Sequence, residues 1–221
     1  MKSITYAAHQ VGAYACFDLA HAAGNIPLKL HDWKVDAAAW CSYKYLNSSP
    51  GGVAGMFIHE RHALNKDLPR LAGWWGNEEE ERFQMKKGFR PALGAQSWQL
   101  SNPPAMLMAA HKAALDVFDE AGMERLRAKS EQLTGFLEFV IRDVAGSRIK
   151  IITPNNPAER GAQLSLFIEN NGRAIFEYLL ANGVIVDWRE PNVIRAAPAP
   201  LYNSFEDVWR FGDVLKEALA L

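Results

Sequence analysis

The sequence predicts an α/β chain in two parts, a front part built on a mostly parallel sheet and a smaller α+β module behind it. Three observations carry this. The runs 13–17 (AYACF), 36–42 (DAAAWCS) and 53–58 (VAGMFI) are short, continuous and apolar, bounded by Gly, Asn, Pro or charge, as strands buried on both faces should be. Beyond Asn102-Pro103-Pro104 the apolar spacing lengthens to a helical period. After Ile149 short strand-like runs alternate with helical ones.

Each element follows in order. Helices are expected to connect parallel strands, and they are mostly missing between the three runs of the first segment, so its sheet reads as the closing strands of a larger one. Prolines tolerate the first turn of a helix, so 102–104 opens a helix running to about Ala121. A second helix places Leu126, Leu133, Leu137, Val140, Ile141 and Val144 on one face. Strands are expected at 149–152, 163–168, 184–186 and 193–196, with a helix near 174–181. The last helix enters through Ser204-Phe205-Glu206-Asp207, a capping-box-like start, and turns Val208, Phe211, Leu215 and Leu219 inward. The composition shift divides the chain into residues 1–105, part of a large domain, and residues 106–221, connecting helices and a small domain.

Composition excludes several classes of function. With 49% hydrophobic and 22% charged residues, the 221-residue chain has material for a packed core. Its net charge of -1 offers no footprint for nucleic acid or an anionic membrane surface. No run approaches the ~20 apolar residues of a spanning helix. Cys16 and Cys41 lie in apolar runs, which predicts buried thiols in a reducing compartment; with no signal-peptide core in MKSITYAAHQ, a cytoplasmic setting is expected.

The polar residues at the strand ends carry the chemical interest. Ligand crevices of α/β sheets form at the carboxyl ends of strands, where Asp18 and His21 close one apolar run and Tyr43 and Lys44 another. One reading is plain: Asp18 caps a turn, His21 is a satisfied core histidine, and Lys44 is a solvated loop lysine. The other uses the capacity of lysine for Schiff-base chemistry and the need of a pyridoxal ring for a carboxylate opposite its nitrogen.

A series of motifs favours the second. Residues 17–22 (FDLAHA), 30–33 (LHDW), 40–47 (WCSYKYLN), Gly73-Trp74, 101–104 (SNPP), Glu159-Arg160-Gly161, Ile194-Arg195 and 200–205 (PLYNSF) run in order along the chain, and together they resemble kynureninase, a fold-type I pyridoxal 5'-phosphate enzyme. The resemblance implies a C-terminal part of the large, cofactor-binding domain of that fold followed by a small α+β domain. It implies hydrolysis of L-kynurenine, or of 3-hydroxykynurenine, to the anthranilate and L-alanine, in tryptophan catabolism and NAD biosynthesis. Lys44 would carry the cofactor and move the substrate Cα proton. Asp18 would pair with the ring nitrogen, with His21 beside the cofactor fixing Asp18 or the ring. Tyr43 would bond the phosphate and serve as acid–base partner. Trp74 and Asn102 would approach the cofactor of the partner subunit in a homodimer. Arg195 would clamp the substrate α-carboxylate through both oxygens.

Each assignment has a rival. The paired tryptophans at 74 and 75 also suit interface packing. Arg195 stands on an apolar strand, where an unpaired charge is costly and an anionic ligand would resolve the cost. His9, His31, His59, His62 and His111 lack zinc-ligand spacing and read as structural or solvated, with no metal expected. The run Glu78 to Arg82 reads as a solvated face. A related activity, cysteine desulfuration, would require a mobile-loop cysteine, whereas Cys41 precedes the lysine on a strand. Kynureninases are about twice this length, and the resemblance places the phosphate cradle, the stacking aromatic and another acidic residue before Met1. The chain therefore reads as a C-terminal piece, with the alternative that it lacks independent activity and serves at most as a dimerisation module.

Overall fold

The computed structural model describes residues 1–63 and 65–220. These form two compact units, Met1–Glu120 and Ala121–Leu221. The division falls between Glu120 and Ala121, at the last residue of the helix that follows Asn102-Pro103-Pro104.

In the first unit, helix α1 (Lys2–Gln10) leads to strand β1 (Cys16–Asp18), followed by β2 (Ala37–Cys41) and β3 (Ala54–Ile58), a short helix α2 (Glu60–Ala63) and a long helix α3 (Ala105–Ala121). The three strands form one sheet in the order β1-β2-β3. β1 runs parallel to β2, with Asp18 opposite Ala39, and β3 returns antiparallel, with Ala54 opposite Cys41. The crossover from β1 to β2 is a series of turns rather than a helix. It brings Leu28, Leu30 and Trp33 over one face of the sheet, around a buried core of Leu19, Val35 and Ala38 with Phe17, Trp40 and Phe57 packed alongside.

The expectation of strands buried on both faces is corrected here. Successive side chains point to opposite faces. One set feeds this core, whereas Cys16, Asp18, Ala39, Ala54 and Met56 stand exposed on the other. The same alternation corrects the expectation of buried thiols: Cys16 is exposed and Cys41 half-buried, and both are free.

The second unit opens with helix α4 (Met123–Ala145) and continues through β4 (Lys150–Ile151), β5 (Leu164–Phe167), helix α5 (Gly172–Ala181), β6 (Asp187–Arg189), β7 (Val193–Ala196) and helix α6 (Phe205–Ala218). Its antiparallel sheet has the order β4-β5-β7-β6. Leu164, Leu166, Ile194 and Ala196 join Leu133, Leu137, Val140 and Ile141 of α4, Leu179 of α5 and Val208, Phe211 and Leu215 of α6 in one buried cluster. The Ser204 side chain caps α6 by accepting from Asp207 N, and Asp207 accepts in return from Ser204 N at 2.8 Å, the capping box its sequence announced.

The motif around Arg160 acquires a structural reason. Arg160 is buried and donates from Nη1 to Glu138 Oε2 at 2.7 Å and to the Pro154 carbonyl at 3.2 Å, tying the segment before β5 to α4. Burial raises the Glu138 carboxyl, but hydrogen bonds from Arg160 and Arg142 outweigh it and hold the group below its ordinary value.

The strand expected at 184–186 is displaced. After α5, Gly183 takes φ +79° and Val184 N bonds back to Leu179 O at 2.9 Å, so the first residues of the apolar run finish the helix end. Pairing begins at Asp187, opposite Arg195.

Candidate functional site

The turn that leaves β1 is fixed locally. Asp18 Oδ1 accepts from Ala20 N at 2.8 Å, an Asx-type turn that starts the crossover at the carboxyl end of the strand. The adjacent strand β2 ends at Cys41, and the chain turns through Ser42, Tyr43 and Lys44. That turn is held from below by the buried hydroxyls of Ser42 and Ser48, which hydrogen-bond each other while Ser42 donates to the Val53 carbonyl. Parallel pairing of β1 with β2 thus places both strand ends on the same edge.

Four of the sequence-selected residues meet there. Lys44 Nζ lies 3.0 Å from His21 Nε2, so the imidazole lone pair accepts from the lysine while the amine is charged. The sequence reading gave His21 a partner in Asp18 or the ring; among its neighbours in the structure are Lys44 and, edge-on, the Tyr45 ring. Asp18, Tyr43 and Lys44 line one open trough of about 660 Å³ over the exposed sheet face, floored by Ala37, Ala39 and Ala54. A hydrogen bond with Cys41 raises the Tyr43 hydroxyl above its ordinary value, with the Cys41 charge and burial adding to the effect. Cys41 Sγ also approaches the Ala20 carbonyl, so Tyr43, Cys41 and the turn after Asp18 form a connected edge.

This donor set fits a pyridoxal cofactor. A primary amine and a carboxylate border one trough, and small side chains leave the sheet face flat enough for a planar ring to approach.

Trp74 and Asn102 form a second cluster. Gly73 has no room for a side chain: a Cβ there would lie 2.2 Å from Leu100 Cα, and this close approach brings Trp74 to the residues beyond Leu100. Trp74 Nε1 is 3.4 Å from Ser101 Oγ, which donates to Asn102 Oδ1 at 3.2 Å. Trp75 and Phe83 meet the Trp74 ring edge-on at 5.1 and 5.6 Å. Neither Trp74 nor Asn102 lines the Lys44 trough. Arg195 lies in the second unit, on β7, and its charge is paired within the chain, with Asp187.

Sequence reasoning missed a buried carboxylate. Asp36, at the entry to β2, accepts from Ala15 N at 2.7 Å and contacts His9 Nε2 at 2.8 Å, His62 Nε2 at 2.6 Å and the Arg61 guanidinium. Burial raises its carboxyl, but the bonds from Arg61, Ala15, His62 and His9 prevail and hold it far below the usual range. An acid immediately after the fully buried Val35 was the available signal. His31, His59 and Glu60, which spacing alone did not bring together, have ligand atoms within 4.8 Å of one another. The fold joins His31 to a pair 28 and 29 residues later, which spacing rules for a single helix or hairpin do not cover. His59 Nδ1 accepts from Arg61 N at 3.3 Å, a structural engagement of that ring.

Comparison with known proteins follows the same lines. Residues 126–215 match the family model described as kynureninase C-terminal domain. Over 222 aligned residues the chain is 53% identical to a kynureninase of Flavobacterium johnsoniae, covering 99% of this chain and 52% of that protein. It is 56% identical over 214 residues to a kynureninase of Xanthomonas euvesicatoria pv. vesicatoria, covering 96% of this chain and 50% of that one. The chain spans about half the length of the curated relatives it matches. Among solved structures, a cysteine desulfurase of Thermococcus onnurineus superposes with a TM-score of 0.80 at 16% identity, over 100% of this chain and 56% of that one. An alanine–glyoxylate aminotransferase of a Nostoc species gives 0.73 at 19% identity, over 98% and 56%. At such identities these two show the fold alone, that of the fold-type I pyridoxal phosphate-dependent enzymes. The chain belongs to the kynureninase family, in which it corresponds to the C-terminal half.

Proposed function

We propose that this chain supplies the lysine edge of a kynureninase active site, hydrolysing L-kynurenine or its 3-hydroxy form to the corresponding anthranilate and L-alanine. The observation that carries the reading is the joint placement of Asp18, Tyr43 and Lys44 around one trough at neighbouring strand ends, with His21 beside Lys44, in a chain 53% identical to a kynureninase.

The residues would divide the work as follows. Lys44 would hold the cofactor covalently and Asp18 would hold its ring nitrogen protonated. When bound, pyridoxal phosphate supplies an electron sink for the carbanions formed on the amino acid. Lys44 Nζ, freed when the substrate amine takes its place, would accept the Cα proton of the substrate, and His21 Nε2, at 3.0 Å, would stabilise the charged amine that results. Tyr43, whose hydroxyl is raised above its ordinary value by the Cys41 contact, would donate a proton as water adds to the aryl ketone. Arg195 binds the α-carboxylate, the bidentate task for which a planar guanidinium is suited. Trp74 and Asn102, clustered away from the Lys44 trough, would serve the site of a partner subunit in a homodimer.

Incubation with pyridoxal phosphate and kynurenine, read by anthranilate fluorescence, tests the activity. Release of anthranilate that is lost in Lys44→Ala is the expected result. Alanine release from cysteine in place of kynurenine would contradict the substrate assignment. Cofactor binding without turnover would leave this chain a binding half that needs the remaining length of its relatives.

A further inference from the structure

The sheet of the second unit carries charge on the face opposite its core. Leu164, Leu166, Ile194 and Ala196 point inward. The alternate positions Ser165, Arg195, Asp187 and Arg189 therefore share the outer face. Register sets Asp187 directly across from Arg195, the closest same-face relation two strands offer. Asp187 Oδ2 accepts from Arg195 Nε and Nη2, and Arg189 Nε lies 3.2 Å from the same oxygen.

The atoms used are informative. Nε and Nη2 form the side-on edge of a guanidinium, and its end-on edge, Nη1 with the outer hydrogen of Nη2, is a second surface matched to a carboxylate. Asp187 engages the first edge. Two guanidiniums against one carboxylate leave this group with one net positive charge, the complement of a single monoanion.

Resting on the reading of Arg195 as the clamp for the substrate carboxylate, we propose that Asp187 is its positioning residue: it grips Arg195 side-on, is itself held by Arg189, and leaves the end-on edge for an amino acid α-carboxylate. An arginine fixed before its ligand arrives has already lost the rotamer freedom that binding would otherwise remove. Deleting Asp187 also deletes a negative charge, which favours anions, but at a half-exposed strand face that effect is screened and orientation dominates.

The 221-residue chain, labelled with nitrogen-15 and followed at its arginine Nε–Hε signals, tests this by titration with N-acetyl-L-alanine, which has the carboxylate but no amine to react with pyridoxal phosphate. The Arg195 signal should shift saturably with the acid and not with its amide. In Asp187→Ala saturation should require about tenfold more ligand, with faster Hε exchange and an otherwise unchanged backbone spectrum. Asp187→Asn, which keeps an oxygen at the side-on edge and removes the charge, should recover most of the affinity. It also decides the matter if alanine disturbs the sheet: a large gain of affinity in Asp187→Asn overturns the positioning role. So does unchanged or tighter binding in Asp187→Ala, and in either case the clamp stands. Absence of any saturable shift at Arg195 in the unmutated chain overturns both.

Discussion

Asp36 takes partners from three parts of the chain, and its cost and its value both follow from burial. Removing one partner of a buried charge group leaves the others unpaired, so Asp36→Ala should lose about 3–5 kcal/mol, read by urea unfolding. Because its folded carboxyl titrates below the ordinary 3.8, the stability it contributes is present above about pH 4 and drains as pH falls toward the folded value. Thermal melts of Asp36→Asn should therefore show a flatter acid limb than the unmutated chain, and parallel curves would deny Asp36 this role. At this scale Asp18 and Lys44 were legible because strand-end position is a local property of the sequence. The Asp36 group was not, since His9, Asp36, Arg61 and His62 meet only once α1, β2 and α2 are folded together. The ion pair of Arg195 was hidden in the same way, by a register that periodicity does not specify.

Elements were legible wherever one face alone decided them. The apolar stripe of α4 and the Ser204–Asp207 box of α6 gave helices with the expected inner faces. The 184–186 run misled because a β-branched stretch beside a helix end serves the cap first, through the Val184 bond to Leu179. The helix pair α4 and α6 makes a sharper prediction. A Cβ on Gly212 would lie 2.3 Å from Val140 Cγ1, so Gly212→Ala should cost about 1–3 kcal/mol by overpacking. Val140→Ala in the same chain should return part of that loss. A double-mutant cycle without coupling would mean that the helices cross elsewhere.

Across the whole molecule the two units differ in how completely they are packed. The second has a continuous buried cluster from Leu133 to Ala218, drawn from both sides of its sheet connections. The first unit's sheet rests on Leu19, Val35 and Ala38, and the unit as a whole leaves large apolar side chains exposed, among them Met56 on the sheet and Leu71, Phe83, Met85 and Met106 outside it. Buried apolar area is the main source of stability, so hydrogen exchange should detect openings of lower free energy in β1–β3 than in α4, β5, β7 and α6. Equal protection in the two would contradict this ordering. The α/β class was readable from the sequence because continuous apolar runs followed by helical periods admit few other architectures. The bare sheet face was not, since an apolar run does not reveal whether a second layer is present to cover it. Lys44 and Asp18 border the trough above that face, where the proposed cofactor would be held. Reduction with borohydride in the presence of pyridoxal phosphate, followed by peptide mapping, tests that placement most directly. The adduct should lie on Lys44 and be lost in Lys44→Ala; an adduct on another lysine, or none, would contradict the account.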